Sequence, residues 1–287
     1  MTLDSFGVSR IYLRYFDVEY DEFSHSPKPT YFLDEISDEI RDMEIIPVVY
    51  LENEVLKKGS LDSLANKIAQ LVIEISTYHF KGKEILRLQV DCDWTESTRE
   101  NYFEILRSLS KDFVLESTIR LHQIKYQNKT GIPPVKRGVL MLYNMGNLAD
   151  MEQNSILSLE TTASYLNSSS TYPLPLALAL PQFSQTVIKS SDDRIKLIND
   201  AKSKELDKNS ECFKKISQYK YLTSCDTTFH GHVVRSGFEI KVEEPSVEEI
   251  IRARDLCLSS NLEIDEYILY HLDTKNVNTS LIRKFLH

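Results

Sequence analysis

The sequence predicts an α/β fold on a parallel sheet, a (β/α)8 TIM-type barrel with an insertion before its last strand. Three observations predict it. Apolar runs of strand length alternate with amphipathic helical stretches through most of the chain, the pattern of parallel strands joined by helical crossovers. Acidic and polar residues recur at the carboxyl ends of those runs, where such folds keep their chemistry. The 287 residues, 41% of them hydrophobic, can supply one large α/β core.

Each element has its own justification. Residues 2–8 read as the last turn of a helix stopped by Gly7. The barrel's first strand, and any export signal, are therefore expected upstream of Met1. Residues 11–18 form the first visible strand, ending near Asp17, and residues 20–29 a polar loop. Residues 34–43 read as a short helix. Residues 45–53 are the second strand, where Pro47 comes early enough to need no donor. Ser60 caps an amphipathic helix to about His79, with Leu64, Ile68, Leu71, Val72 and Ile75 at helical spacing. The aliphatic run 85–93 is the third strand, and residues 95–111 are helical, with Tyr102, Phe103, Leu106 and Leu109 inward. Residues 114–124 make the fourth strand and residues 139–146 the fifth, which ends in Tyr143 and Asn144. Residues 154–167 are a helix, and residues 174–183 the sixth strand, with Gln182 at its end. Residues 184–228 are polar, with two helical pieces. Residues 229–243 have strand character around a Ser236-Gly237 turn. Ser246 opens a helix, with Glu249 in capping-box position. Residues 267–273 are the last strand and 281–287 a closing helix. The chain thus reads as one domain over 1–287, with 184–260 an excursion between the last two strands.

The formal charge is −9. No Lys/Arg run is dense enough to follow a phosphate backbone, so nucleic acid is not an expected partner. Cys92, Cys212, Cys225 and Cys257 are widely spaced and contain no CxxC pair, so no metal site is expected. Cys212 and Cys225 could pair in an exported protein; buried free thiols are the simpler expectation. No apolar stretch reaches the roughly 18 residues of a membrane span. The 8 glycines form no phosphate cradle after a late strand, and no cofactor is expected.

The chemistry centres on residues 85–94. Alternation puts Gln89, Asp91 and Asp93 on one side of the strand and Val90 and Cys92 on the other. In a parallel barrel the first side faces the axis. Helix capping would explain Asp93 alone, but two acids on one inward face read as a site. Glu52, Glu96, Asp17 and Asp273 also fall near carboxyl ends of strands. The plainer account of such acids is pairing with Arg14, Arg120 or loop amides. His122, near a strand's end, is either a site residue or a satisfied structural histidine. Asp91, Asp93, His122, Tyr143 and Asp273 are expected to converge on one cavity.

The order of these motifs carries a resemblance. Asp91-Cys-Asp93-Trp94 resembles the Asp-x-Asp-Trp segment of the chitinase-like glycosidase barrels of family 18 type. Met141-Leu-Tyr-Asn144 is similar to that family's Met-x-Tyr-Asp, and Leu178-Ala-Leu-Pro-Gln-Phe183 to its Gly-x-Pro-x-Tyr. Arg14-Tyr-Phe-Asp-Val18 resembles an early strand of bacterial envelope proteins with glycosidase-like barrels. The resemblance implies a barrel that acts on or binds a glycan, and a cell-envelope location if an export signal precedes Met1; otherwise the protein is expected in the cytoplasm. It implies Asp93, Asp91 and Glu96 as catalytic candidates, and Tyr143, Asn144, His122, Gln182, Asp273 and Trp94 as substrate-binding ones. In the family a glutamate directly follows the tryptophan and protonates the glycosidic oxygen, while the neighbouring aspartate orients the sugar's N-acetyl group. Here that position is Thr95, which cannot act as an acid, and Glu96 is one residue late. Asn144 replaces a second acid. Hydrolysis by the chitinase mechanism is therefore not expected. Two readings follow: a glycosidase-like barrel with a rearranged constellation, or a non-catalytic scaffold holding a glycan or an envelope protein across its mouth.

Overall fold

A computed structural model of the chain describes residues 7–199, 201–272 and 279–285. Its elements in chain order begin with strands β1 (Arg10–Asp21), β2 (Ser26–Thr30) and β3 (Glu44–Leu51), then helices α1 (Asn53–Lys58) and α2 (Leu64–His79). Strand β4 (Arg87–Asp91), helix α3 (Arg99–Leu109) and strand β5 (Val114–Ile119) follow, then short helices α4 (Leu121–Lys125) and α5 (Gln127–Thr130). Next come β6 (Arg137–Met141), α6 (Leu159–Tyr165) and β7 (Leu176–Pro181). A second β region holds β8 (Gln185–Lys189), β9 (Ile195–Asn199), α7 (Ser203–Asp207), β10 (Phe213–Lys215), β11 (Lys220–Thr223), β12 (Thr227–Phe229), β13 (His232–Val234) and β14 (Glu239–Glu243). Helix α8 (Val247–Leu258), strand β15 (Ile264–Tyr270) and helix α9 (Thr279–Phe285) complete the chain.

The main sheet has 8 strands in the order β15-β7-β6-β5-β4-β3-β1-β2. All its pairs are parallel except β1 with β2. Among the described residues no ladder joins β15 to β1 or β2, so the sheet is not a closed barrel. The barrel expected from the sequence lacks its first strand in this numbering, and closure would need a further strand in the ladder. The sheet nevertheless curls until its first and last parallel strands face each other. Arg10 of β1 donates to both carboxylate oxygens of Glu266 on β15, at 2.8 and 2.7 Å.

Strand register sorts the side chains onto two faces. One face carries Ile45, Val49, Leu51, Leu88, Val90, Leu115, Ile119 and Leu140, all buried in a core shared with Leu64, Ile68 and Val72 of α2 and Tyr102 and Leu106 of α3. The other, concave face is polar at both ends. At its amino end Arg10, Glu44, Arg87, Glu116, Arg137 and Glu266 interlock as ion pairs. The Tyr12 hydroxyl donates to Glu116 in the same layer, at 3.0 Å.

Several element expectations change. Residues 34–43 hold only the 3-10 turn Asp38–Ile40. The helix expected from Ser60 to His79 begins only at Leu64, as α2, and a further short helix, α1, precedes Gly59. The strand expected over 114–124 stops at Ile119, because Arg120 turns the chain into α4 and its backbone N–H donates to the Gln123 side chain at 2.7 Å. Residues 184–228 hold one short helix, α7, and otherwise short strands and loops: β8, β9, β10 and β11 join β14 in a 5-stranded antiparallel sheet. The chain turns at Ser236-Gly237, where the Phe238 amide donates to the Arg235 carbonyl at 3.1 Å, but the strands that pair as a hairpin are β12 and β13, which turn at His230-Gly231. The second sheet has its own core, with Ile188, Leu206, Phe213, Tyr221, Ile240 and Val242. Ser246 and Glu249 form the capping box, and α8 returns Ile250, Ala253 and Cys257 to the main core. Cys212 and Cys225 form a disulfide, with Cα atoms 5.0 Å apart, which corrects the expectation of free thiols; Cys92 and Cys257 are free and buried. Residues 2–6 of the helix turn expected over 2–8, and the site candidate Asp273, lie outside the described residues. Among the described residues no helix is long and apolar enough to cross a membrane.

Candidate functional site

The carboxyl-end layer of the concave face is built strand by strand. Tyr50 stands opposite Asp91 in the β3–β4 register. The Thr118 hydroxyl, on β5, donates to Asp91 Oδ1 at 2.7 Å. Just beyond β5, Arg120 grips Asp93 with two parallel bonds, Nε to Oδ1 at 2.7 Å and Nη2 to Oδ2 at 3.1 Å. From β1, Arg14 forks onto both oxygens of Asp17, with Nε 2.6 Å from Oδ1. The last pair depends on a β-bulge. The β1–β3 register shifts between Arg14 and Phe16, so Asp17 returns to the concave face beside Arg14 instead of pointing into the helices. Tyr15, at the bulge, points outward, and its hydroxyl meets Ser76 of α2 at 3.1 Å.

Aromatic rings close one side of this layer. Tyr143 stacks on Tyr270, with ring centroids 4.3 Å apart and planes 5° apart. Phe183 meets both rings edge-on. Arg14 lies over the Tyr31 and Tyr50 rings, 6.0 and 5.8 Å from their centroids.

Electrostatics separate the two acids. Burial raises the Asp91 carboxyl above the ordinary aspartate range; the Thr118 hydrogen bond pulls it back, and Asp93 adds to the rise. Asp93 is 52% exposed and paired with Arg120. Burial pushes the Tyr143 hydroxyl well up, with Asp91 adding to it, and pushes Tyr50 up to about 12. His122 is lowered, first by burial and then by the Arg120 charge.

A pocket of about 100 Å³ opens beside this layer. Arg120, His122, Tyr143, Asn144 and Met145 line it, with Thr161 and Tyr165 from α6. Among the described residues the side chains of His122 and Asn144 have no hydrogen-bond partner, so their polar groups are open to a ligand.

The structure thus gathers Asp91, Asp93, Tyr143, His122 and Asn144 around Arg120. His122 reaches the pocket from the first turn of α4, not from a strand end. Other expected residues lie elsewhere. Trp94 is 2% exposed, stacks on Tyr102 and donates its indole N–H to the Thr130 carbonyl at 2.9 Å. It therefore presents no face to a sugar. Glu96 and Thr95 are exposed on the turn before α3. The Thr95 backbone N–H donates to the Thr98 hydroxyl at 2.9 Å, and Glu96 has no hydrogen-bond or ion-pair partner among the described residues. Glu52 accepts from the Tyr20 amide at 2.8 Å. Gln182 follows β7 with its side-chain oxygen buried and unpartnered among the described residues, as is that of Gln89, next below Asp91 on the concave face. Period-two alternation marks Tyr50 and Thr118 as inward residues. No sequence signal marks Thr161 and Tyr165, which arrive from a helix.

No family model matches the chain, and no curated protein matches it in sequence. Its fold is similar to that of solved structures. The spore cortex-lytic enzyme SleL of Bacillus megaterium QM B1551 aligns with a TM-score of 0.55 at 14% identity, over 98% of this chain and 68% of that one. The spore cortex-lytic enzyme SleL of Bacillus cereus gives 0.52 at 12% identity, over 96% and 66%. A chitinase from Bacteroides thetaiotaomicron gives 0.54 at 12% identity, over 97% and 87%. The chain therefore spans about two thirds of the two SleL chains. All three are glycosidase-like barrels of family 18 type, and at these identities the likeness is one of fold.

Proposed function

We propose that this chain is a (β/α)8-type barrel, open between β15 and β1, that binds a glycan at its carboxyl-end face without hydrolysing it by the family 18 route. The observation that carries the reading is the state of the acids at the end of β4. Asp93 is held by two bonds from Arg120, and the next outward position is an exposed threonine. Asp93 has both oxygens engaged by Arg120 and must leave that pair to reach a substrate amide, and the Thr95 hydroxyl is far too weak an acid to protonate a leaving oxygen at neutral pH. What remains suits binding: stacked tyrosines, open amide and imidazole groups, and a neutralised floor. The neighbours' names, a chitinase and two spore cortex-lytic enzymes, make chitin oligosaccharides and peptidoglycan fragments the first probes. The Cys212–Cys225 disulfide supports an oxidising, envelope-type location, since such bonds persist there.

A second reading has its own observation. Asp91 is half-buried with a raised carboxyl pKa, the condition a general acid needs. The test is binding and turnover on both probe sets, with wild type beside Asp91→Asn and Asp93→Asn. Binding without turnover in all three proteins supports the glycan-binding reading. Turnover that disappears in Asp91→Asn replaces it with a rearranged hydrolase. Neither binding nor turnover moves the search to an envelope protein partner.

A further inference from the structure

The pocket wall made by Asn144 and Met145 is held from outside the main sheet. Asn144 has φ +53°, a left-handed conformation that a non-glycine residue keeps only where its neighbours fix it. The next two amides, of Met145 and Gly146, both donate to the Ser155 carbonyl, at 2.9 and 3.1 Å. Gly146 presses so close that a Cβ there would stand 3.0 Å from Ser155 Cα. Ser155 is therefore the anchor of this wall.

Ser155 is fixed in turn by the second sheet. Its backbone N–H donates to Glu243 Oε1 at 2.5 Å and its hydroxyl to Oε2 at 2.6 Å. Gln185 Nε2 donates to the same Oε2 at 2.6 Å and to the Ser155 hydroxyl at 3.1 Å. Lys241 Nζ stands 2.9 Å from Glu243 Oε1 and donates to the carbonyls of Asp150 and Gln153, at 2.6 and 2.8 Å. Lys241 and Glu243 are 2% and 1% exposed. They share one face of β14, while Ile240 and Val242 on its other face pack into the second core.

We propose that Glu243 and Lys241 are positioning residues for the ligand pocket: the second sheet clamps Ser155, and through it holds Asn144 and Met145 in binding geometry. A buried ion pair that only glued two sheets together could be replaced by apolar side chains without loss. This one spends its acceptors on both the N–H and the hydroxyl of the residue that anchors the pocket wall. The inference deepens the glycan-binding reading and rests on it for the ligand arm of its test alone.

The test uses the full chain with Glu243→Gln, which keeps the volume, and Ser155→Ala, which removes the hydroxyl and leaves the Lys241–Glu243 pair intact. Hydrogen–deuterium exchange is read first. The Met145 and Gly146 amides are expected to exchange about tenfold faster in Glu243→Gln and by a smaller factor in Ser155→Ala, while β4 amides keep their rates. Unchanged exchange at Met145 and Gly146 in the folded variants, or equal acceleration in β4, overturns the proposal. Affinity for the N-acetylglucosamine tetrasaccharide is read second, with Asn144→Ala in both backgrounds. Asn144→Ala is expected to weaken binding in wild type and to add nothing in Glu243→Gln; additive losses overturn the proposal. If wild type binds no tetrasaccharide, the glycan-binding reading loses its support and the exchange arm still decides this one. If Glu243→Gln does not fold, Ser155→Ala carries both arms.

Discussion

Asp91 and Asp93 are two residues apart on one strand end, yet their surroundings differ completely. Asp93 is exposed and gripped by Arg120, whereas Asp91 is half-buried with one hydroxyl donor. Because burial raises the folded-state pKa of Asp91, the folded protein holds its proton more tightly than the unfolded chain does. Between the unfolded and the folded pKa, stability therefore falls as pH rises. Asp91→Asn keeps an acceptor for Thr118 and removes that penalty. Its melting temperature is expected to exceed that of wild type increasingly as pH rises from the carboxylate range to 7, by a few degrees at the top. A constant offset across pH, seen by calorimetry, would sink the argument. His122 gives a second residue-scale prediction. Arg120 helps to lower it, while Asp93 pulls the other way. Arg120→Leu should therefore raise the imidazole pKa, which an NMR titration reads directly; a fall or no change contradicts the placement. The acid pair was legible because alternation is geometric. The role of Trp94 was not, because a tryptophan beside two acids reads the same whether its indole faces a sugar or, as here, bonds a carbonyl 36 residues further along the chain.

At the scale of elements, β14 shows what patterning conceals. Glu239-Ile-Lys-Val-Glu243 alternates as a half-exposed strand should, and its polar face reads as solvated. In the structure much of that face is buried against residues 150–155. Lys241→Met leaves the Glu243 carboxylate buried without its cation, so it should cost about 3–5 kcal/mol. Lys241→Met with Glu243→Gln removes both charges and should recover most of that loss. Urea denaturation of the two variants decides, and equal destabilisation would mean that the charge pairing is not what the site needs. The same region explains why residues 184–228 were expected to be partly helical. Strands of three to five residues, such as Phe213–Lys215 and Ile195–Asn199, are too short to carry a clear alternation of their own. As edge strands, β9 and β10 pair only with their sequence neighbours β8 and β11; the distant partner is β14, which pairs with both β8 and β11 and so makes one sheet of them. Local sequence does not record such pairings, whereas the long helix α2 and the aliphatic run of β4 announce themselves.

For the whole molecule, the seven parallel strands were readable because most are joined by a helical crossover, but closure was not, since it depends on whether two edges pair. Arg10 and Glu266 reach across that interval as side chains only. The molecule also has two cores, and this yields a prediction about cooperativity. The second core is small and is stapled by Cys212–Cys225, 13 residues apart in sequence. A loop of that length constrains the unfolded chain by about 3 kcal/mol, so Cys212→Ser with Cys225→Ser should weaken the second sheet by roughly that amount. The sole tryptophan lies in the main core, stacked on Tyr102 of α3, and reports on that core. In the double variant, far-UV circular dichroism is expected to lose strand signal at lower denaturant while Trp94 fluorescence keeps its wild-type midpoint. Non-coincident probes would mean that the second sheet unfolds first. If both probes shift together, the Lys241–Glu243 clamp couples the cores into one cooperative unit. In that case the second sheet could not loosen around the pocket without the main sheet yielding too.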